Sequence, residues 1–346
     1  MISTDTVTEK TKSRPGARVS VVIPALNEER HIGDCLASLA RLHSAAAGAI
    51  EVIVVDNGST DKTVDIAESF RHSLDVRVIR RPGVSVSAAR NCGASHANGE
   101  LLAFLDADCV VPEGWLESAG AQLALPGCGL VGAFYTLPAG SSWVATTWAG
   151  HLSRVPNGEV SYVGAHNMVL CRSVFHRVGG FDESLQTNED YEFCQRIAAA
   201  GLKVFACDAA SVIHLGTPQS LGDFFRRERW HGRHVVKVFL RNISKLHNCR
   251  AVLFAVFTLA AVAAMFVGIV AAMAGGSAVL AWASLLAWFV VSLALSVWSM
   301  RRTRTWGRVP PLMILFLTWG LARAVALVDT ALPSALLKRK WESRHS

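Results

Sequence analysis

Fifty consecutive residues, Ala251 to Met300, contain no Asp, Glu, Lys or Arg. Such a segment has to leave water, and a helix that spans a bilayer needs about 20 apolar residues. Two spanning helices therefore fit, over residues 251–273 and 278–300, joined by Ala274-Gly275-Gly276-Ser277. The competing reading is a hairpin buried in a water-soluble core. Helices that are apolar all round at this length belong to membranes instead. The charges agree. Residues 1–225 hold 17 Lys+Arg and 24 Asp+Glu, a net of −7, whereas residues 226–346 hold 17 and 3, a net of +14. The overall +7 thus describes the apolar third of the chain, which points to a membrane surface and away from nucleic acid. With 51% hydrophobic and 18% charged residues, the chain is not a disordered polyelectrolyte.

Arg241, Lys245 and Arg250 precede the hairpin, and Arg301, Arg302, Arg304 and Arg308 follow it. The neutral turn between them places both hairpin ends in the cytoplasm by the positive-inside rule. The reading is a multi-pass protein of the cytoplasmic (inner) membrane with its N-terminal domain facing the cytoplasm. A third apolar stretch, about 309–331, is expected to span, with Arg323 snorkelling or pairing with Asp329. The alternative is an interfacial or re-entrant segment starting at Pro310-Pro311, which keeps the basic tail 336–346 inside. Residues 1–18 are polar, carry Lys10, Lys12, Arg14 and Arg18, and read as a disordered leader rather than a signal peptide. The eight cysteines form no CxxC pair and are expected to stay reduced, with Cys109 and Cys194 as small core residues. Residues 219–250 read as a basic amphipathic segment: Leu221, Phe224, Phe225, Val235, Val236 and Phe239 are interleaved with Arg226, Arg227, Arg229, Arg233 and Lys237.

Residues 19–218 alternate strand and helix patterns. Strands are predicted at Val19–Ile23, Ile50–Val55, Val76–Ile79 and Leu101–Leu105. Helices are predicted at Glu28–Leu42, Thr63–Phe70, Ser85–Ala97 and Glu113–Leu123. This order means βαβ units and a mostly parallel, Rossmann-like sheet, whose ligands sit beyond the carboxyl ends of the strands. Those ends carry Pro24-Ala25-Leu26-Asn27-Glu28, Asp56-Asn57-Gly58-Ser59-Thr60-Asp61 and Asp106-Ala107-Asp108. One acidic terminus is explained by helix capping, with Thr60 and Asp61 as caps for the Thr63 helix. Three at one edge make a site. There is no GxGxxG or GxxxxGKS loop, so backbone amides are not the main phosphate holders. An Asp-x-Asp pair suits a hard divalent cation.

Together with Ala89-Arg90-Asn91 and Asn188-Glu189-Asp190, these segments resemble the family 2 glycosyltransferases of the GT-A fold, over about residues 19–241. The resemblance implies inverting transfer from a nucleotide-diphosphate sugar, with Mg²⁺ or Mn²⁺. It implies a nucleotide pocket of Pro24, Asn27, Glu28, Asp56, Asp61 and Arg90, with Asp106 facing ribose or metal. It implies Asp108 as metal ligand, with His214 as a further metal or diphosphate contact, and Asp190 as catalytic base. Glu189, His166, Asn167, Arg229 and Trp230 fall on the acceptor or diphosphate side. The plain readings beside these are a helix terminus for Glu189-Asp190, with Asn188 as cap, and ordinary packing for His166 and His214. Arg226-Arg227-Glu228-Arg229-Trp230 partly resembles the Gln-x-x-Arg-Trp motif of processive members, but Arg replaces Gln, which argues against polymer synthesis. The membrane segments make a lipid-linked or glycolipid acceptor the expectation. Rival readings are a nucleotidyltransferase, disfavoured by the missing glycine loop, and a catalytically inactive sugar-nucleotide sensor or scaffold, disfavoured by the intact Asp108 and Asp190.

Overall fold

The computed structural model describes residues 18–45, 50–152, 157–185, 187–232, 246–303 and 306–331. Residues 1–17 of the expected leader and the basic tail 336–346 lie outside the described residues, as does 233–245 of the basic segment, whereas Arg18 is described and pairs with Asp75 at 2.6 Å. The chain forms two compact units: residues 1–139 with 153–217, and residues 140–152 with 218–346. A stretch inside the expected 19–218 domain, Gly140–Leu152, thus groups with the second unit.

The first unit is built on a mixed sheet of eight strands. These are β1 (Val19–Ala25), β2 (Ile50–Asp56), β3 (Asp75–Arg80), β4 (Leu101–Leu105), β6 (Cys128–Gly132), β7 (Asn157–Val160), β8 (Asn167–Cys171) and β9 (Lys203–Cys207), in the order β3-β2-β1-β4-β8-β6-β9-β7. A separate antiparallel pair joins β5 (Cys109–Val110) to β10 (Ile213–His214). The pairs β1/β2, β2/β3, β1/β4 and β6/β9 are parallel. The expected βαβ half is therefore present. Continuous Val/Ile runs allow it, because strands buried on both faces need no polar alternation. All seven residues of β2 and all five of β4 are buried. β8 runs antiparallel between β4 and β6.

The helices of this unit are α1 (Ile32–Ala45), α2 (Thr63–Ser69), α3 (Val86–Ser95), α4 (Trp115–Leu123), α6 (Arg172–Val178) and α7 (Glu189–Ala199). α3 starts at an N-cap, Ser85, whose Oγ accepts the Ala88 amide at 3.1 Å. Gly93 lets α3 lie directly on the sheet, since an added methyl would collide with Val22 and press on Val55. Phe104 of β4 is fully buried and meets Phe181 edge to face at 5.0 Å. Phe181 in turn stacks on Phe193 of α7 at 4.5 Å. Each such ring contributes about 1.5–3 kcal/mol by leaving water. The chain of rings fixes α7 against the end of β4, which matters for the site.

The second unit contains α5 (Trp143–Leu152), α8 (Leu221–Gly232) and three long helices, α9 (Leu246–Met273), α10 (Val279–Thr303) and α11 (Val309–Ala331). Segments Val252–Met273, Val279–Arg301 and Trp306–Thr330 are long and apolar enough to cross a membrane, with mean hydropathies of 2.6, 2.1 and 1.9. The sequence allowed Arg323 to pair with Asp329. Six residues apart, they lie on different sides of one helix, and each pairs with α8 instead. Arg323 donates to Glu228 at 2.7 Å, and Arg229 grips Asp329 with two bonds of 2.7 and 2.9 Å.

Candidate active site

The site begins with two loops sewn together beyond β1 and β2. The Asn27 amide donates to Ser59 Oγ, the Glu28 amide to Thr63 Oγ1 and the Glu29 amide to Asp61 Oδ2. Asn27 Oδ1 accepts the Thr60 amide at 2.9 Å. These bonds hold 27–31 out of regular helix, so α1 starts at Ile32 and not at Glu28 as predicted. Asp56, at the end of β2, is buried, and its carboxylate accepts the Gly58 and Ser59 amides at 3.2 and 3.1 Å. It shapes the loop that bears Asp61. Asp61 itself stays below the ordinary carboxylate range. Burial opposes this, but the hydroxyl and amide of Thr63 and the Glu29 amide outweigh it.

A cleft of about 450 Å³ opens here, lined by Asn27, Glu28, Glu29, Arg30, His31, Asp61, Asp108 and Gly216. Four carboxylates and one guanidinium line it. Burial, followed by the charges of Asp108, Asp106 and Asp61, pushes Glu28 up to about 7. Such a cleft repels a diphosphate unless a cation joins it.

The two aspartates after β4 diverge. Asp106 accepts a bond from Arg90 Nη2 at 2.9 Å, and Arg90 Nη1 reaches Glu189 at 2.8 Å. Arg90 is almost wholly buried, so one cation on α3 ties the end of β4 to the start of α7. Burial works against the Asp106 charge, but Arg90 keeps this carboxyl below its usual range. Asp108 turns the other way, its Oδ2 lying 3.6 Å from His214 Nδ1. The β5/β10 pairing sets His214 opposite Cys109, and the Leu215 amide donates to the Asp108 carbonyl at 2.8 Å. Ligand atoms of Asp108, Cys109 and His214 lie within 4.8 Å of one another. An oxygen and an imidazole nitrogen suit a borderline-hard divalent ion, while Cys109 is a buried thiol pushed upward by its surroundings. These donors and the acidic cleft fit Mg²⁺ or Mn²⁺.

Asp190 stands in the first turn of α7. Asp190, Phe193, Cys194 and Ile197 share one face by their i, i+3, i+4, i+7 spacing, and the last three are buried. Asp190 thus starts the packed face of α7, within electrostatic reach of Glu189, Arg90 and Asp106. The Tyr191 amide donates to Asp190 at 2.7 Å, yet burial and then the Glu189 charge push this carboxyl up to about 7. The plain capping role for Asn188 fails. Asn188 occupies the N-cap position at φ 61° and makes no side-chain cap bond. Among the described residues only Asn27 and Asn188 are non-glycines with positive φ. Backbone strain of this kind clusters at functional sites.

The comparisons with known proteins agree on what this edge belongs to. The profile of glycosyl transferase family 2 matches residues 20–179, and that of glycosyl transferase family group 2 matches residues 101–321. The chain belongs to the family 2 glycosyltransferases. It is 32% identical over 238 residues to the pre-mycofactocin glycosyltransferase of Mycobacterium tuberculosis, covering 66% of this chain and 48% of that one. It thus spans about half the length of that curated relative. Glycosyltransferase AglE of Haloferax volcanii is 30% identical over 230 residues, covering 64% and 74%. Among solved structures, the mannosyltransferase PcManGT from Pyrobaculum calidifontis, determined with GDP-Man and Mn²⁺, matches 89% of this chain and 87% of its own with a TM-score of 0.57 at 22% identity. That likeness supports a shared GT-A fold.

Within this glycosyltransferase fold the remaining sequence candidates are placed as follows. Pro24 lies in β1, in register with Val55. Asn167 is buried, with Trp115 Nε1 donating to its Oδ1 at 3.0 Å and its Nδ2 donating to the Ala210 carbonyl at 2.8 Å. Its amide holds the scaffold. His166 has a buried Nε2 without a partner, and its ring lies 5.6 Å from Tyr135 and 6.0 Å from His214. Burial, then His214, lowers it to about 4, so it is neutral near pH 7. Arg229 and Trp230 belong to α8 in the second unit. Arg229 is engaged by Asp329, and Trp230 is 49% exposed. Sequence reasoning missed Tyr135 and Gly216, since no motif surrounds either.

Gly216 yields a direct test. A Cβ at this position would run into Asp108 Oδ2. Gly216→Ala is expected to re-aim the carboxylate and weaken metal-dependent nucleotide binding, with little change in melting temperature. Isothermal titration with and without Mn²⁺ checks this; unchanged binding would remove Asp108 from the metal-holding role.

Proposed function

We propose that this chain transfers a sugar from a nucleotide-diphosphate sugar to a membrane-associated acceptor, with inversion at the anomeric carbon. The observation that carries the reading is Asp190. It is a carboxylate raised to about 7, next to Glu189, which Arg90 ties to the donor-side Asp106. A group poised near neutral pH suits proton removal from an acceptor hydroxyl. A single base supports a single displacement, hence inversion.

On the donor side, the loops bearing Asn27, Asp56 and Asp61 form the nucleoside pocket. Asp108 and His214 would hold a divalent cation, which would supply Lewis-acid neutralisation of the leaving diphosphate. PcManGT was solved with GDP-Man and Mn²⁺, a donor and an ion of the same chemical classes as those proposed for this chain. Arg90 keeps Asp106 and Glu189 in place, so the two sides of the site keep their spacing. The neutral His166 offers its Nε2 to a polar substrate group.

The three apolar helices and the basic α8 favour a lipid-linked acceptor: a polyprenyl phosphate, a polyprenyl-diphosphate-linked saccharide or a glycolipid. By the positive-inside rule the catalytic unit faces the cytoplasm. The test is a donor-hydrolysis screen. Purified protein in nanodiscs is given UDP-, GDP- and dTDP-sugars with Mg²⁺ or Mn²⁺, with and without membrane lipid extract. Release of one nucleoside diphosphate, raised by lipid, is the expected result. Release without lipid stimulation would move the acceptor off the membrane. Binding without any release would overturn transfer in favour of sugar-nucleotide sensing.

A further inference from the structure

α3 does more than carry Arg90. Just before its cap, Val84 is held by Asn57 of the loop after β2. The Val84 amide donates to Asn57 Oδ1 at 2.9 Å, and Asn57 Nδ2 donates to the Val84 carbonyl at 2.9 Å. The same arrangement recurs further along, now with α3 supplying the side chain. The Phe181 amide donates to Asn91 Oδ1 at 2.8 Å, and Asn91 Nδ2 donates to the Phe181 carbonyl at 2.9 Å and to Glu183 Oε1 at 3.0 Å. A carboxamide sets a donor beside an acceptor, as a residue's own backbone does, so asparagine closes a two-bond bridge to one residue. An ionised aspartate lacks the donor. Between Val86 and Asn91 the helix advances about 7.5 Å. Its seat on the sheet is fixed, since Ala89 and Ala94 are buried and Gly93 lies flush against Val22 and Val55.

Asn91 does not act alone. Ser85 Oγ donates to the Glu183 carbonyl at 3.1 Å, Ser87 Oγ to the Leu185 carbonyl at 3.3 Å, and Arg90 Nη1 to Glu189 at 2.8 Å. Ser87, Arg90, Asn91 and Ala94 share one face of α3 by their i, i+3, i+4, i+7 spacing. The helix and its cap thus hold the segment from Phe181 to Glu189 at several points, and that segment leads into the first turn of α7, with Asp190. The Phe181 ring extends the hold, because it stacks on Phe193, three residues after Asp190. Gly180 permits the fit: at φ 70° an added Cβ would meet Asn91 Oδ1 at 2.8 Å. The two strained asparagines stand at the ends of this path. Asn27 is bonded to Thr60 in the loop that bears Asn57, and Asn188 immediately precedes α7. Such strain persists where the surroundings over-determine the backbone, and the bonds at Leu185 and Glu189 flank Asn188 on both sides.

We propose that Asn57 and Asn91 are positioning residues for sugar transfer: they make α3 a strut of fixed length between the nucleoside loop and the segment that carries Asp190. The strut sets how far the base stands from the reacting carbon of the donor. Neither asparagine has to touch a reacting group to do this. A displacement of about 1 Å at the reacting groups is enough to lower a rate by about 10²-fold. The proposal rests on the roles given above to Asp190 and to the nucleoside loop, and adds to them the part that sets their spacing.

The test uses the full chain in nanodiscs, with the donor that the hydrolysis screen selects and with membrane lipid extract. Asn91→Ala is expected to lower kcat by about 10- to 100-fold, while donor affinity by isothermal titration stays near that of the parent. A role in folding alone would lower the melting temperature and leave kcat unchanged, which would overturn the proposal. Two double variants sharpen the result. Because Asn91 acts through Asp190, adding Asn91→Ala to Asp190→Asn is expected to lower kcat no further. A full additional loss there would overturn the strut alone, whereas parent-like turnover in Asp190→Asn by itself would overturn the base and the strut together. Asn57→Ala combined with Asn91→Ala is expected to lose no more kcat than the larger single loss, since either change frees the same strut; additive losses would overturn it. Should Asn91→Ala fail to fold, Ser87→Ala removes one bond of the clamp. A fall in kcat of about three- to tenfold at parent affinity is then expected, and an unchanged kcat would overturn the proposal.

Discussion

Asp190→Asn is expected to lower turnover by about 10²- to 10⁴-fold, the scale of a lost general base, while nucleotide-sugar affinity stays near that of the parent. The substitution keeps the shape of the side chain and its place beside the Tyr191 amide. It removes only the capacity to take a proton. The pH profile makes the test sharper. Burial and the neighbouring Glu189 charge raise the Asp190 carboxyl to about 7. A base acts in its ionised form, so a raised value means that protonation silences it at mildly acidic pH. Turnover of the parent enzyme should climb with pH, about tenfold per unit below 7, and level off above it. The Asn variant should lose that limb and keep a flat residual rate. Initial rates from pH 5 to 9 in nanodiscs, at saturating donor, decide the matter. Parent-like turnover in the variant would remove Asp190 from proton transfer.

Asp108→Ala is expected to have the second large effect. The cleft already concentrates Glu28, Glu29, Asp61 and Asp108 around a single arginine, Arg30. A nucleoside diphosphate enters such a place only with a cation to offset the repulsion. Removing Asp108 leaves His214 as the remaining strong donor of the Asp108–His214 pair. The expected result is nucleotide affinity that no longer responds to Mn²⁺ and equals the value in chelator. Lost charge neutralisation of several kcal/mol should lower turnover by at least about 10²-fold. Titration calorimetry with and without chelator measures the first effect and donor-hydrolysis rates the second. Retained metal dependence would move the ion away from Asp108.

The two predictions draw on different kinds of information. Asp108 is legible because a pair of aspartates after a buried apolar run is a local pattern. Its partner His214 came only from the family resemblance, because it meets Asp108 through the β10/β5 pairing more than 100 residues away in the chain. Asp190 is legible from its place in an acidic helix start. Its elevated proton affinity depends on burial at the sheet edge, which Phe193, Phe181 and Phe104 bring about. Arg90 was expected beside the nucleotide. The fold makes it a bridge between Asp106 and Glu189, a role that requires β4, α3 and α7 to meet.

What the sequence determined by itself was everything governed by neighbours along the chain. Continuous Val/Ile runs set the parallel strands, because burial on both faces removes alternation. Helical spacing and the Ser85 cap set α3, and fifty uncharged residues set the membrane hairpin. Tertiary structure decided what depends on remote segments meeting. It inserted β8 antiparallel into the sheet and drew Gly140–Leu152 out of the first unit's run of sequence. It strained Asn27 and Asn188, and it paired Arg323 and Asp329 with α8 rather than with each other. Hydropathy states how much a helix avoids water, but not which partners lie beside it. For α11 those partners include α8, whose Glu228 and Arg229 take up Arg323 and Asp329.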